Sequence, residues 1–148
     1  MNLEQIINEE IKNAMKNQEK DKLDALRSIK KAIIEFNTSG SGKDLDEGEA
    51  IKLLNQQAKM RKESIEMYEN AGRTELSQKE KNELEVIMAF LPKQLSEEEI
   101  KEVIKRIKDQ VGANTPSDMG KLMGPVMKEL SGKADGKLIQ SLVKEILS

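Results

Sequence analysis

Lysines recur at positions 121, 128, 133, 137 and 144, in a segment that also holds Gly120, Gly124, Gly132 and Gly136, four of the nine glycines in the 148-residue chain. An ammonium group is a point charge suited to phosphate oxygens, and helix N-termini add free backbone N–H donors, so the pattern suits contact with a nucleic-acid backbone. Thr115-Pro116-Ser117-Asp118 and Asp135 mark two such helix starts. Lys121 falls in the second turn after the first of them, while Lys133 and Lys137 bracket the second. These three are therefore the candidate phosphate contacts, with Lys128 and Lys144 peripheral. The same lysines can equally balance Asp118, Glu129 and Asp135 on a solvated surface. Gly120 and Gly124 lie one helical turn apart and leave a groove, which either receives a partner or lets the following helix pack closely.

The chain contains neither cysteine nor histidine. That removes thiol nucleophiles, Ser-His triads, imidazole bases and the usual zinc ligands. The carboxylates mostly fall beside lysines at helix-surface spacing, so no catalytic residue, metal site or cofactor is expected. Gly40-Ser41-Gly42-Lys43 resembles a phosphate loop only superficially, because it lacks the Gly-x-x-x-x-Gly-Lys spacing and a preceding strand. With a net charge of −2 the protein is not globally basic, and any contact with nucleic acid would have to be local. No apolar run approaches the roughly 20 residues needed to cross a bilayer, and the acidic, amphipathic N-terminus does not read as a signal peptide. A cytoplasmic protein without membrane contact is expected.

Aromatic residues make up 2 % and charged residues 35 % of the chain, a balance that fits helices built on Leu, Ile, Met and Ala. An all-α fold is expected, with an N-terminal body of about four helices and a C-terminal tail of three. The spacing of Leu3, Ile6, Ile7, Ile11, Ala14 and Met15 predicts a first helix, and Leu23, Leu26, Ile29, Ile33 and Ile34 a second, joined by a short polar link. Arg27, Lys30 and Lys31 line the solvated side of the second. Asp46 and Glu49 open a long third helix that should close near Gly72, with Leu54, Ala58, Ile65 and Tyr68 on its apolar stripe. Arg61 falls inside that stripe, so it either snorkels to the surface or pairs with a buried carboxylate.

Thr74 is the expected cap of a fourth helix carrying Leu76, Leu84, Ile87, Phe90 and Leu91, which Pro92 ends. Ser96 with Glu99 caps a fifth, closed by Gly112. The sixth should begin at Thr115 and meet a disturbance at Pro125, and the seventh should follow Asp135 with Leu138, Ile139, Leu142, Val143, Ile146 and Leu147 inward. Residues 1–91 and 96–148 are expected to form separate units hinged at Pro92.

Four patches make the chain resemble the GatB/YqeY domain family over essentially its whole length, and the stand-alone YqeY-type proteins in particular. They are Lys20-Asp21-Lys22-Leu23 with Leu26-Arg27; Lys59-Met60-Arg61-Lys62-Glu63-Ser64 running to Tyr68 and Ala71-Gly72-Arg73; Phe90-Leu91-Pro92-Lys93-Gln94-Leu95-Ser96; and Asp118-Met119-Gly120-Lys121 with Gly132-Lys133-Ala134-Asp135-Gly136. Phe90, where the family often has tyrosine, and Pro125, where it usually has a helix-compatible residue, depart from the pattern. The resemblance implies kinship with the tail of the B subunit of tRNA-dependent amidotransferase, a carbon-nitrogen ligase with glutamine as amido-N-donor. It implies a tRNA-binding or accessory module rather than the catalytic unit, with tRNA and possibly amidotransferase subunits as partners. It also marks Arg61, Pro92, Gly120, Gly124, Gly132, Asp135 and Gly136 as structural or interaction positions. The alternative is an adaptor that receives another helical protein and has no RNA role.

Overall fold

The computed structural model describes residues 1–148 and is all-helical. Its helices are α1 (Leu3–Lys16), α2 (Lys20–Thr38), α3 (Glu47–Asn70), α4 (Thr74–Met88), α5 (Glu97–Val111), α6 (Met119–Glu129) and α7 (Gly136–Leu147), with one 3-10 turn at Pro116–Asp118. They fall into two compact units, Met1–Leu91 and Pro92–Ser148.

In the first unit, α1 begins with a reciprocal cap in which Asn2 and Gln5 each accept the other's backbone N–H, at 2.9 and 3.0 Å. After α1, Gln18 takes a left-handed φ of 56°, and the Glu19 N–H bonds back to the Ala14 carbonyl at 3.0 Å. The chain reverses there, and α1 and α2 bury Ile7, Ala14, Leu26, Ile29 and Ile33 between them and the α3–α4 pair, while Met15 and Ile34, expected on these faces, are 55 % and 49 % exposed because each lies one position further round the helix from a buried neighbour. The Asp46 carboxylate accepts the Glu49 N–H at 2.8 Å and starts α3 as the sequence indicates. Thr74 does not cap α4: it is the first helical residue, and Arg73 precedes it with no side-chain cap. The reason is the turn after α3, where the Arg73 N–H bonds the Tyr68 carbonyl at 2.8 Å and carries the chain straight into the next helix. Leu76 is 41 % exposed rather than inward. It precedes Lys79 and Asn82, the α4 residues that bond Asp24 and Asp21 of α2, so the first turn of α4 has no α2 side chain bonded over it.

The second unit opens on the expected capping box, with the Glu99 N–H donating to Ser96 Oγ at 3.2 Å and the Ser96 N–H to Glu99 Oε1 at 3.1 Å. The Ser96 backbone N–H holds the Glu99 carboxyl below the ordinary value. Gly112, at φ 69°, supplies the left-handed residue that ends α5, and the Ala113 N–H returns to the Lys108 carbonyl at 3.1 Å. The sixth helix starts later than the sequence suggests. Pro116–Asp118 winds as a 3-10 turn, and α6 proper begins at Met119. Pro125 does not break α6, which runs on to Glu129. It removes the N–H that would bond the Lys121 carbonyl, but both residues sit on the exposed face, where water can take that bond. Ile100, Ile104, Leu122, Val126, Ile139 and Val143 are at most 1 % exposed and form the centre of this unit. Leu138, expected inward, is 37 % exposed in the first turn of α7.

Candidate functional site

The motif residues of the second unit meet around one loop. Gln94 donates from Nε2 to the Pro92 carbonyl at 2.9 Å and to the Gly132 carbonyl at 2.7 Å, and the Leu95 N–H bonds the Lys133 carbonyl at 2.9 Å. Gly132, at φ 76° and buried, makes the turn that presents those carbonyls. On the far side of the loop, the Asp135 carboxylate accepts the Lys137 N–H at 3.0 Å and caps α7. A Cβ on Gly136 would lie 3.5 Å from Met127 Cε, so α6 also lies against the loop there. Pro92, Gly132, Asp135 and Gly136 thus act together, fixing the backbone from which Lys133 and Lys137 project. The segment 92–95, which reads in sequence as a hinge, is bonded into the second unit.

The face of α6 is equally defined. Leu122 and Val126 are buried, while Gly120, Lys121, Gly124, Pro125, Met127 and Lys128 are exposed. Nothing lies within 4 Å of a Cβ built on Gly120 or Gly124. This overturns one of the two readings of these glycines: α7 does not pack on them, and the groove faces open space. Beside it, Ile107, Val111 and Pro125 floor an open cleft rimmed by Gln110, Lys128 and the Arg106–Glu129 ion pair.

All five candidate lysines are exposed, and none forms an ion pair. Lys121 and Lys128 are seven residues apart on α6, and Lys137 and Lys144 on α7, so each pair shares a helix face about 10 Å apart. Lys121 Nζ reaches toward the C-terminal end of α5, 3.9 Å from where a Cβ on Gly112 would sit. One expectation narrows, because a helix start can already be taken by its own cap. Asp135 occupies that of α7. At the other, the Asp118 carboxylate accepts the N–H groups of Asn114 at 2.9 Å and Thr115 at 3.1 Å, which hold it below the ordinary range.

In the first unit, Arg61 resolves in favour of pairing, with Nη1 3.3 Å from Glu80 and Nε 3.8 Å from Glu83. Sequence reasoning placed Arg61 but missed its partners. Lys79, Glu80 and Glu83 of α4 carry no pattern that sets them apart in sequence, and only the packing of α4 on α2 and α3 buries or half-buries them.

The pattern of the YqeY-like protein family matches residues 4–147. The chain is 31 % identical over 143 residues to "Altered inheritance of mitochondria protein 41, mitochondrial" of Pyrenophora tritici-repentis, covering 93 % of this chain and 77 % of that protein. It is 27 % identical over 95 residues to an uncharacterized protein of Schizosaccharomyces pombe, covering 64 % of this chain and 76 % of that one. No helix is long and apolar enough to cross a membrane. With the match running from the first turn of α1 to the last residue of α7, the chain belongs to the YqeY-like family.

Proposed function

We propose that the second unit docks on the backbone of tRNA as an accessory module of tRNA-dependent amidation, through Lys121, Lys133 and Lys137. The observation that carries the reading is the exposed Gly120–Gly124 face of α6, which no part of its own unit fills and which Lys121 and Lys128 flank unpaired. Two glycines weaken a helix by up to about 1 kcal/mol each, and internal packing does not compensate for that loss here. A close-approaching partner does, and the neighbouring free ammonium groups suit a phosphate backbone. The kinship with the amidotransferase B-subunit tail supplies the substrate class. The shortage of aromatics, 2 % of residues, points to recognition of shape and backbone rather than stacked bases. No step of the amidation chemistry is assigned to this chain, and the reading keeps the expectation of a cytoplasmic protein; the Pyrenophora relative is, by its printed name, mitochondrial.

Titration of the intact protein with bulk tRNA at several salt concentrations tests this. Three phosphate contacts give a log-log salt slope of about −2 to −3, at roughly 0.7–0.9 per contact. The variant carrying Lys121→Gln, Lys133→Gln and Lys137→Gln should flatten that slope and stay folded, because exposed lysines contribute little to stability. Lys128→Gln and Lys144→Gln should move it less. An unchanged slope in the triple variant, or no binding at low salt, removes the proposal.

The cleft floored by Ile107, Val111 and Pro125, together with Met127 at 38 % exposure, favours the second reading, an adaptor for a helical protein such as an amidotransferase subunit. A pull-down with RNA and protein both identified separates the two: subunits captured without RNA support the adaptor.

A further inference from the structure

Four carboxylates and two cations meet where α4 packs against α2 and α3. The cations are committed elsewhere: Lys79 Nζ lies 3.0 Å from Asp24 of α2, and Arg61 Nη1 of α3 lies 3.3 Å from Glu80. Asp21 of α2 accepts from the Asn82 amide at 3.0 Å. Glu83 is left over. It is 4 % exposed, receives no hydrogen bond, and reaches Arg61 Nε only at 3.8 Å and Lys79 Nζ only at 4.0 Å. Arg61 Nε is itself buried without a hydrogen-bond partner.

We propose that Glu83 is a proton-uptake site which sets the tightness of the α2–α3–α4 seam, so that the first unit becomes more stable as the pH falls from neutral into mild acid. A carboxylate this buried needs donors within bonding distance to offset its lost hydration, and the two cations in reach are held closer by other acids. Glu80 beside it and Asp24 across from it add repulsion. Protonation removes all three costs and turns Glu83 into a donor as well as an acceptor in a seam that also holds Asp24, Asp21, Glu80, Lys79 and Arg61. The direction of its acidity agrees: burial pushes the Glu83 carboxyl above its ordinary 4.5, Arg61 pulls it back down, and Glu80 pushes it up.

The sign follows. Between the unfolded and the folded value the native state binds more protons than the unfolded chain, so stability falls as pH rises through the folded value. The penalty of the charged form is complete above that value and absent below the ordinary one. Glu69, in the same unit, runs the opposite way, since its hydrogen bond to Lys81 holds its carboxyl below the ordinary value. Its contribution is complete above the ordinary carboxylate range and so stays constant in the window where Glu83 titrates.

Two measurements on the full chain test the proposal. In an NMR titration of the side-chain carboxyl carbons, Glu83 should show a midpoint above 4.5, the ordinary value; a midpoint at or below it overturns the proposal. The second uses Tyr68, the only tyrosine in a protein without tryptophan, whose fluorescence reports the first unit alone. The urea midpoint should be higher at about pH 5.5 than at about pH 7.5, and Glu83→Gln, which keeps an acceptor for Arg61, should bring the neutral midpoint up to the acidic one and abolish the difference. A wild-type midpoint that is flat or drops in acid, or a variant that keeps the pH dependence, overturns it. Lys79→Met, which removes one of the two cations, should raise the Glu83 titration midpoint; a fall contradicts the assignment.

Discussion

Replacing Ile104 by alanine should unfold the second unit and leave the first intact. Ile104 is fully buried at the centre of α5, in a core it shares with Leu122, Val126, Ile139 and Val143. Truncation of a buried isoleucine to alanine costs about 2–5 kcal/mol, the methylenes lost plus the cavity left behind. A helical unit of about 60 residues buries a smaller share of its surface than a larger domain and is correspondingly marginal, so a loss of that size takes most of what it has. The buried residues of this core lie between Ile100 and Leu147, and those of the other between Ile7 and Leu91. Far-UV circular dichroism should therefore lose the signal of α5 to α7, while Tyr68 fluorescence, confined to the first unit, keeps its wild-type urea midpoint. Ile104→Val, costing about 0.5–1.5 kcal/mol, should leave both signals in place. If the Tyr68 midpoint drops in step with the helical signal in Ile104→Ala, the two units fold as one and the separate-unit reading is wrong.

Periodicity and caps made most of the fold legible. Asn2, Asp46, Ser96 and Asp135 stand before their helices as side-chain caps, and three of them, Asp46, Ser96 and Asp135, announce themselves by an acid or hydroxyl ahead of an apolar repeat. Three of the misreadings share one cause. Thr74, Leu76 and Leu138 lie in first turns, where type alone does not say which residue is the last outside the helix or how far neighbouring elements extend over it. At Thr115 the acid proved more informative than the hydroxyl, because the Asp118 carboxylate collects two backbone N–H groups.

The candidate site was legible as a list of residues but not as an arrangement. Gln94 is not conspicuous in the sequence, yet its amide joins the Pro92 and Gly132 carbonyls and makes one object of two motifs 38 residues apart. No local pattern announces a bond across that separation. Lys121 illustrates the converse. Its position after a helix start suggests an anion site there, but the ammonium leans toward the carbonyl end of α5. Charge and spacing name these lysines as candidates, but they do not say which backbone end each ammonium faces.

Substituting alanine at both Gly120 and Gly124 should make the protein more stable and weaken its hold on its partner. In space left by close packing, an added methyl would clash and cost stability. Here nothing stands within 4 Å of either Cβ position. Gly124, in the middle of α6, should give close to the full propensity gain of about 1 kcal/mol, and Gly120, the second residue of the helix, less. Thermal unfolding of the second unit should rise by several degrees, since 1 kcal/mol is worth about 4–8 °C in a domain of about 60–100 residues. The two glycines forgo that stability inside the helix, and on the proposed reading the contact that offsets it lies on the face that Lys121 and Lys128 share. The decisive comparison is between the thermal shift and the tRNA titration of the same variant. Higher stability with weaker binding and an unchanged salt slope means that the methyl groups hold the backbone away from the partner while the lysine contacts persist. Higher stability with undiminished binding of tRNA and of protein partners means that the groove is empty in function as well as in structure, and the lysines must then stand as a binding site on their own.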